Sequence, residues 1–156
     1  VPIIAYNYGA GRRERITAAI KKSLALAVGI MLMGTAIFEL LPERLLGLFE
    51  ASPAMLQIGV PAMRIIACSF AGAAVAITLS SVFQAFGNAV YSMIATFVRQ
   101  VVVLLPAVYL LSLSGNINTI WWAYLVAEAA SILSCLFFMR RVYKKKIEPM
   151  GKEDNG

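Results

Sequence analysis

The sequence predicts an all-α, polytopic membrane protein with four transmembrane helices. The chain has 156 residues, of which 60% are hydrophobic and only 14% are charged, and its mean hydropathy is +0.78. A soluble domain carries about a quarter of its residues as charged side chains, and a disordered chain is much poorer in apolar residues. The composition therefore excludes an ordinary soluble domain and a disordered protein.

Four apolar segments carry the prediction of membrane crossings. A helix needs about 20 apolar residues to cross a bilayer, because each residue advances it by about 1.5 Å. The segments that meet this length are residues 23–41, 58–86, 89–113 and 120–139. Helices are expected because an open strand leaves backbone groups unpaired in lipid, and the alternating polar pattern of a barrel strand is missing.

The basic residues predict the orientation of the chain in a plasma membrane. Apart from Arg44, Arg64 and Arg99, they all lie within residues 12–22 or 140–152. Lys and Arg are enriched on the cytoplasmic side of membrane proteins, so both ends are expected to be cytoplasmic. Nucleic-acid binding, the rival explanation of basic ends, is not expected because no soluble module carries them.

The same distribution divides the chain into three parts. Residues 1–22 are predicted to be the end of a preceding span followed by a basic cytoplasmic loop. Residues 23–139 form the transmembrane segment, and residues 140–156 are predicted to be a basic, mostly disordered cytoplasmic tail. Because the chain begins without Met inside an apolar stretch, an upstream portion is expected.

Two ionisable residues, Arg99 and Glu128, are predicted to lie deep in neighbouring antiparallel helices. Helical rise places each of them roughly 16 Å from the inner end of its span. A lone charge at that depth costs at least about 2.5 kcal/mol on insertion scales. We therefore expect the two side chains to face the bundle interior and either to touch or to share a water-filled pocket.

The third span carries a polar stripe that ends in a proline. Ser92, Thr96, Arg99 and Pro106 follow helical spacing, which supports an inward Arg99. Pro106 removes a backbone donor and can bend the helix, as a gating hinge or as a fixed kink. Gln100 lies about 100° around the helix from Arg99 and could face a different interface. The candidates for a substrate or ion pathway are Glu128, Arg99, Gln100, Gln84, Thr78 and Ser81.

Small residues recur every four positions in the second and fourth spans. The stripes are Gly72, Ala76, Ser80 and Gln84 in one span, and Ala123, Ala127, Ser131 and Cys135 in the other. Such rows let helix backbones approach closely in lipid. They indicate either simple packing or the wall of a polar cavity, to which Thr78, Ser81 and Gln84 would contribute. Arg64, near the outer end, is expected to form a structural pair with Glu39, Glu43 or Glu50.

Residues for bond chemistry are not found in the sequence. Histidine is absent, which removes imidazole proton relays and most transition-metal sites. Cys68 and Cys135 lie in apolar runs, where cysteine behaves as a small hydrophobic residue. With no nucleophile–base arrangement and no carboxylate cluster, the sequence predicts neither an enzyme, nor a metal site, nor a cofactor.

Four motifs together resemble multidrug and toxic compound extrusion (MATE) transporters. They are YNYGAGRR at residues 6–13, FQAFGN at 83–88, the RQ, LP and Tyr109 of 99–109, and WWA with Glu128 at 121–128. They occur in the order and spacing of the family's last spans. The resemblance implies that this chain is the carboxy-terminal part of a protein with twelve spans, contributing four helices to one of its two six-helix lobes.

The resemblance also implies a function and partners. It implies alternating access and the export of small organic cations or amphipathic drugs across the lipid bilayer, in exchange for Na⁺ or H⁺, together with a missing amino-terminal lobe. Some members place an acidic cation ligand in the tenth span, but residues 65–86 contain no Asp or Glu. Glu128 is therefore the candidate for a secondary role in coupling, and the main carboxylate is expected in the missing lobe.

Two other functions remain open from the sequence. A flippase for lipid-linked saccharides, within the same superfamily, predicts a more basic cavity. A non-transporting membrane module that assembles with partner helices predicts that the polar stripes bury against each other and leave no cavity.

Overall fold

The computed structural model of the chain describes residues 1–150, which form helices joined by short turns. The helices are α1 (Pro2–Gly9), α2 (Arg13–Leu40), α3 (Pro42–Gly47), α4 (Pro53–Ala67), α5 (Phe70–Ala85), α6 (Ala89–Phe97), α7 (Leu105–Ser112), α8 (Ile117–Ile120) and α9 (Trp122–Val142). One π-helical segment, Val98–Leu104, joins α6 to α7, and another, Tyr143–Ile147, follows α9. The all-α prediction is confirmed.

Three helical stretches in the described part of the chain are long and apolar enough to cross a membrane. They are Arg13–Leu40, Ala89–Ser112 and Ile117–Ile147. The pair α4 and α5 adds a fourth crossing if it forms one span, although the two helices are bent by 50° relative to each other. This organisation is that of a polytopic membrane protein.

The second span differs from its prediction, because it is broken rather than continuous over 58–86. At the break, the hydroxyl of Ser69 donates a hydrogen bond to the carbonyl oxygen of Ile66 at 2.7 Å. Thr35 of α2 donates to the carbonyl oxygen of Ala67 at 3.0 Å. Backbone groups freed inside a membrane need such partners, so a side chain from a neighbouring helix helps to stabilise the bend.

The basic segment before the first span is helical rather than a loop. The predicted first span begins at residue 23, whereas α2 runs without interruption from Arg13 to Leu40. The segment is rich in Arg, Lys, Glu and Ala, which favour helix. Its Ile16 side chain is fully buried against the core, which adds tertiary packing to that local preference.

The first part of the predicted disordered tail is ordered in the structure. Helix α9 continues to Val142 and the π-helical segment extends to Ile147, which is only 1% exposed. Burial of this apolar side chain among the core residues outweighs the tendency of the flanking lysines to stay in solvent. Residues 151–156 of the predicted tail lie outside the described residues.

The core of the bundle lies where α1, the start of α2 and the ends of α5 and α9 meet. Phe83, Ile16 and Val142 are among its fully buried side chains. Helix α5 packs against α2 on one side and α9 on the other. Along the α5–α9 contact the two small-residue stripes face each other, and the Cys135 thiol lies 3.9 Å from the carbonyl oxygen of Ala76. This packing positions the polar residues described next.

Candidate functional site

Arg99 and Glu128 form an ion pair inside the helix bundle. The Arg99 Nη2 atom lies 3.0 Å from the Glu128 Oε2 atom, and their side chains are 31% and 4% exposed. Arg99 comes from the π-helical segment between α6 and α7, and Glu128 comes from α9. The two residues are therefore in contact, as their matched depths predict.

The π-helical segment around Arg99 runs directly into the first turn of α7, which contains Pro106. Pro106 has no backbone N–H, so the helix loses one donor at the first turn of α7. Just before it, the N–H of Leu105 reaches back five residues to the carbonyl oxygen of Gln100. Such π-helical turns are frequent at functional sites. Ala89–Ser112 is a single helical stretch long enough to cross a membrane, although it contains Pro106. The hinge role of Pro106 therefore stays a prediction.

Close helix packing fixes the stem of Glu128. A Cβ atom added at Gly72 of α5 would lie 2.8 Å from Glu128 Cγ and 2.9 Å from Ile132 Cδ1. Real Cβ atoms essentially never come so close, so only glycine fits here without a shift. Because Gly72 has no side chain, the stem of Glu128 can pack against the backbone of α5.

The ion pair leaves polar atoms without hydrogen bonds. Although Oε2 is at ion-pair distance from Arg99, neither oxygen of Glu128 is in hydrogen-bond geometry with any described residue. The buried Nε atom of Arg99 also has no such partner within residues 1–150. Buried polar groups are normally paired, and exceptions call for a bound water, an ion or a functional role.

The smaller of two adjoining cavities between α5 and α6 borders the ion pair at Arg99. The smaller has a volume of about 250 Å³, and its polar lining comes from Ser80, Ser81, Gln84, Ser92, Thr96, Arg99 and Ser131. The larger has a volume of about 540 Å³ and is lined by Gln84, Ala89, Ser92, Met93, Thr96, Phe97, Gln100 and Val101. They share three residues, and the amide of Gln84 donates to the hydroxyl of Ser92 at 3.3 Å.

The structure brings most of the predicted pathway residues together. Arg99, Ser81 and Gln84 line the smaller cavity, Gln84 and Gln100 line the larger, and Glu128 contacts Arg99. Thr78 and Pro106 are not among the residues that line either of these two cavities.

Four lining residues were not predicted as site residues: Ser80, Ser92, Thr96 and Ser131. Their spacing carries the signal that would have identified them. Ser80 is four positions from Gln84, and both Ser92 and Thr96 share the stripe of Arg99, so helical periodicity puts each of them on a cavity-facing surface.

A second ion pair, Arg64 with Glu39, lies between α4 and α2. Arg64 Nε is 3.9 Å from Glu39 Oε2, and the side chains are 52% and 37% exposed. A pair this open is weak in water, which agrees with the structural role expected from the sequence.

The arrangement suits reversible binding rather than bond chemistry. It combines a buried carboxylate, a half-buried guanidinium and a row of hydroxyl and amide groups at the wall of a cavity. Ionisable residues placed within membrane helices usually mark a substrate or ion pathway.

Comparison with known protein families identifies the family of the chain. The family model described as MatE matches residues 1–110 of the chain. No curated protein and no solved structure gave a match. The matched segment includes α1 to α6, the π-helical segment with Arg99, Pro106 and most of α7. Because it covers well over half of the sequence, the chain belongs to the MatE family of multi-pass membrane transporters.

Proposed function

We propose that this chain is the carboxy-terminal part of a secondary multidrug efflux transporter, which exports cationic or amphipathic compounds in exchange for Na⁺ or H⁺. The observation that carries the proposal is the Arg99–Glu128 pair beside a polar cavity, within helices of membrane length. Membership of the MatE family supports transport as the general activity. The described helices contribute to one lobe, and the other lobe is the proposed partner.

The lining of the larger cavity fits amphipathic compounds. It combines the amides of Gln84 and Gln100 with the apolar side chains of Met93, Phe97 and Val101. Ligand sites are typically apolar surfaces with a few polar groups that fix orientation, and methionine adapts to ligands of different shape.

The balance of charge favours this proposal over the alternatives. A lipid-linked saccharide flippase predicts a more basic cavity, with additional Arg or Lys in the missing spans, whereas the arginine at the cavity wall described here is paired with Glu128. A non-transporting module predicts that the polar stripes pack without a cavity, and the cavity of about 250 Å³ argues against it. The proposed orientation places the basic ends on the cytoplasmic side of the plasma membrane.

Drug accumulation in cells expressing the full gene tests the proposal. With Glu128→Gln, we expect efflux to be weakened, so that accumulation of a cationic dye rises toward the level of cells without the transporter. The matched control is Glu39→Gln at the exposed ion pair, which should export normally. Unchanged efflux by a folded Glu128→Gln protein would remove this residue from the mechanism, and absence of efflux by the wild type for every cationic or amphipathic probe would refute drug export.

A further inference from the structure

The exposed face of α9 changes from apolar to basic near the C-terminal end of the helix. Leu133 and Phe137 lie one turn apart on this face and are 69% and 53% exposed. The next one to two turns carry three basic side chains that are also exposed: Arg140, Arg141 and Lys144. On a helix of membrane length, an apolar face of this kind contacts acyl chains, and the basic residues beyond it reach the level of the lipid headgroups.

The guanidinium of Arg141 is held in a geometry that suits a phosphate group. Its Cζ atom lies 4.7 Å from the centre of the Phe137 ring, so it stacks on an aromatic side chain of the exposed face. Stacking uses the flat side of a guanidinium and leaves its N–H groups at the edge for acceptors. Phosphate oxygens match that edge, because they can accept two parallel hydrogen bonds from it.

A further basic residue reaches the same place from the start of α2. Arg13 Nη2 donates a hydrogen bond to the Tyr143 hydroxyl at 2.9 Å, and its Cζ atom lies 5.9 Å from the centre of the Tyr143 ring. The hydroxyl can still donate its own proton to an acceptor. Tyr143 follows Arg140 by three positions, which makes the two residues neighbours on the helix surface. We call these residues together the basic surface: Arg13, Arg140, Arg141, Tyr143 and Lys144.

The basic surface is not neutralised by acidic side chains of the described residues. Glu14 and Glu148 are the acids nearest to it in sequence, but the two ion pairs within residues 1–150 lie elsewhere in the bundle. Lys146 differs from its neighbour Lys144, because its ammonium group is bonded to the carbonyl oxygen of Phe86. Clustered like charges repel each other unless an anion lies among them, so this surface favours a negatively charged ligand.

We propose that the basic surface binds the phosphate of one anionic phospholipid, whose acyl chains lie along Leu133 and Phe137. A free phosphate ion would gain nothing from these two apolar side chains, whereas a lipid extends from the charged residues directly onto them. Clusters of Lys and Arg beside a membrane helix attract anionic lipids in this way. The site lies on the exposed face of α9, apart from the cavities between α5 and α6, so it goes beyond the proposed transport function.

Native mass spectrometry of the full-length protein, purified in detergent, tests the proposal. The probes are phosphatidylglycerol, phosphatidylcholine with the same acyl chains, and inorganic phosphate. We expect the first phosphatidylglycerol to bind about tenfold more tightly than the first phosphatidylcholine, because only the former carries a net negative charge. Inorganic phosphate at equal concentration should not displace it. Equal binding of the two lipids, or displacement by inorganic phosphate, would overturn the proposal.

Charge substitutions test the position of the headgroup. Arg141→Gln should weaken phosphatidylglycerol binding about fivefold, which is the contribution of one basic residue near an anionic lipid surface. The matched control is Lys21→Gln, which removes the same charge from an exposed position about 12 Å further along α2 than Arg13. This control should bind nearly as tightly as the wild type. Equal losses in the two variants would mean that net charge alone attracts the lipid, and they would refute a site at the basic surface.

A substitution of the aromatic ring tests the contact with the acyl chains. Phe137→Ala removes both apolar surface and the ring that supports Arg141, so phosphatidylglycerol should bind more weakly. Leu26→Ala truncates an apolar side chain of α2 that is 67% exposed, and it should leave binding unchanged. Unchanged binding by Phe137→Ala would refute the placement of the lipid on this face.

Photochemical labelling locates the lipid in a bilayer. The full-length protein is placed in vesicles of phosphatidylcholine with a small amount of phosphatidylglycerol that carries a diazirine in one acyl chain. We expect crosslinks to α9 around Leu133 and Phe137, and fewer of them in Arg141→Gln. Crosslinks that spare α9 would mean that another part of the protein covers this face, and they would overturn the proposal. Lipid binding is measured here without transport, so a failure of the proposed drug export would leave this site standing, and the reverse also holds.

Discussion

The ammonium group of Lys146 donates a hydrogen bond to the carbonyl oxygen of Phe86, the residue that caps the C-terminal end of α5. The same nitrogen lies 5.2 Å from the centre of the Tyr8 ring, which packs edge-to-face on the Phe86 ring at 5.0 Å. A cation is favourable at the C-terminal end of a helix dipole. One lysine thus joins α1, α5 and the segment that follows α9.

Replacing Lys146 should loosen this end of the bundle. For Lys146→Met, we expect a loss of about 1–2 kcal/mol in stability, because a charged hydrogen bond and a cation–π contact are removed while the aliphatic stem is kept. Melting of the purified protein in detergent measures the loss. Protease cleavage after Lys144 or Lys145 should become faster as the segment undocks.

The neighbouring lysine provides the control for this prediction. Lys144 is exposed, so Lys144→Met should leave the melting temperature nearly unchanged. Equal effects of the two substitutions would mean that stability depends on net charge at this end and not on the contact with Phe86.

The two ion pairs should respond very differently to the loss of their arginine. Arg99→Gln leaves the buried Glu128 uncompensated, and removing one partner of a buried pair costs about 3–5 kcal/mol. Arg64→Gln affects an exposed pair at 3.9 Å, so its cost should stay below about 1 kcal/mol. Thermal unfolding of the two variants side by side measures the difference.

A double variant checks the electrostatic cause. Adding Glu128→Gln to Arg99→Gln removes the stranded charge and should recover most of the lost stability. If the double variant is as unstable as the sum of the two single variants, the loss comes from packing around Arg99 and the prediction is contradicted.

The Arg99–Glu128 contact could be predicted from the sequence because it depends mainly on how deep each residue lies in its membrane span. Helical rise fixes how far each residue lies from the end of its span, and neighbouring antiparallel helices bring equal depths together. The sequence did not reveal the π-helical turn that carries Arg99, since proline more often bends a helix than widens it. It also did not reveal that the Glu128 stem rests on Gly72.

The sequence did not predict two features, the break between α4 and α5 and the ordered start of the tail, and the reason is the same for both. At the break the sequence reads Ala67-Cys68-Ser69, with neither glycine nor proline, and one of the freed carbonyl groups is bonded by Thr35 from another helix. In the tail, the basic run predicted a solvated end, but Ile147 is buried in the core. Both features depend on tertiary contacts that local sequence patterns do not contain.

Gly72→Ala should destabilise the bundle through overpacking. The added Cβ would lie 2.8 Å from Glu128 Cγ and 2.9 Å from Ile132 Cδ1, so side chains or helices must move, at a cost of about 1–3 kcal/mol. Gly29→Ala meets open space and replaces glycine within a helix, which by itself favours the folded state. Melting temperatures that change equally in both variants would contradict close α5–α9 packing at Gly72.

The alanines on either side of Glu128 offer a matched test of the small-residue stripe of α9, which contains Ala127, Ser131 and Cys135. Ala127 is 1% exposed in the helix interface, whereas Ala129 is exposed on the same helix. Ala127→Leu should cost about 1–3 kcal/mol because the added side chain has no space between closely packed backbones. Ala129→Leu adds the same atoms toward lipid and should change the melting temperature little. Equal tolerance of both would mean that the stripe is not a tight interface, whereas selective loss at Ala127 locates the close contact on the face that also carries Ser131 and Cys135.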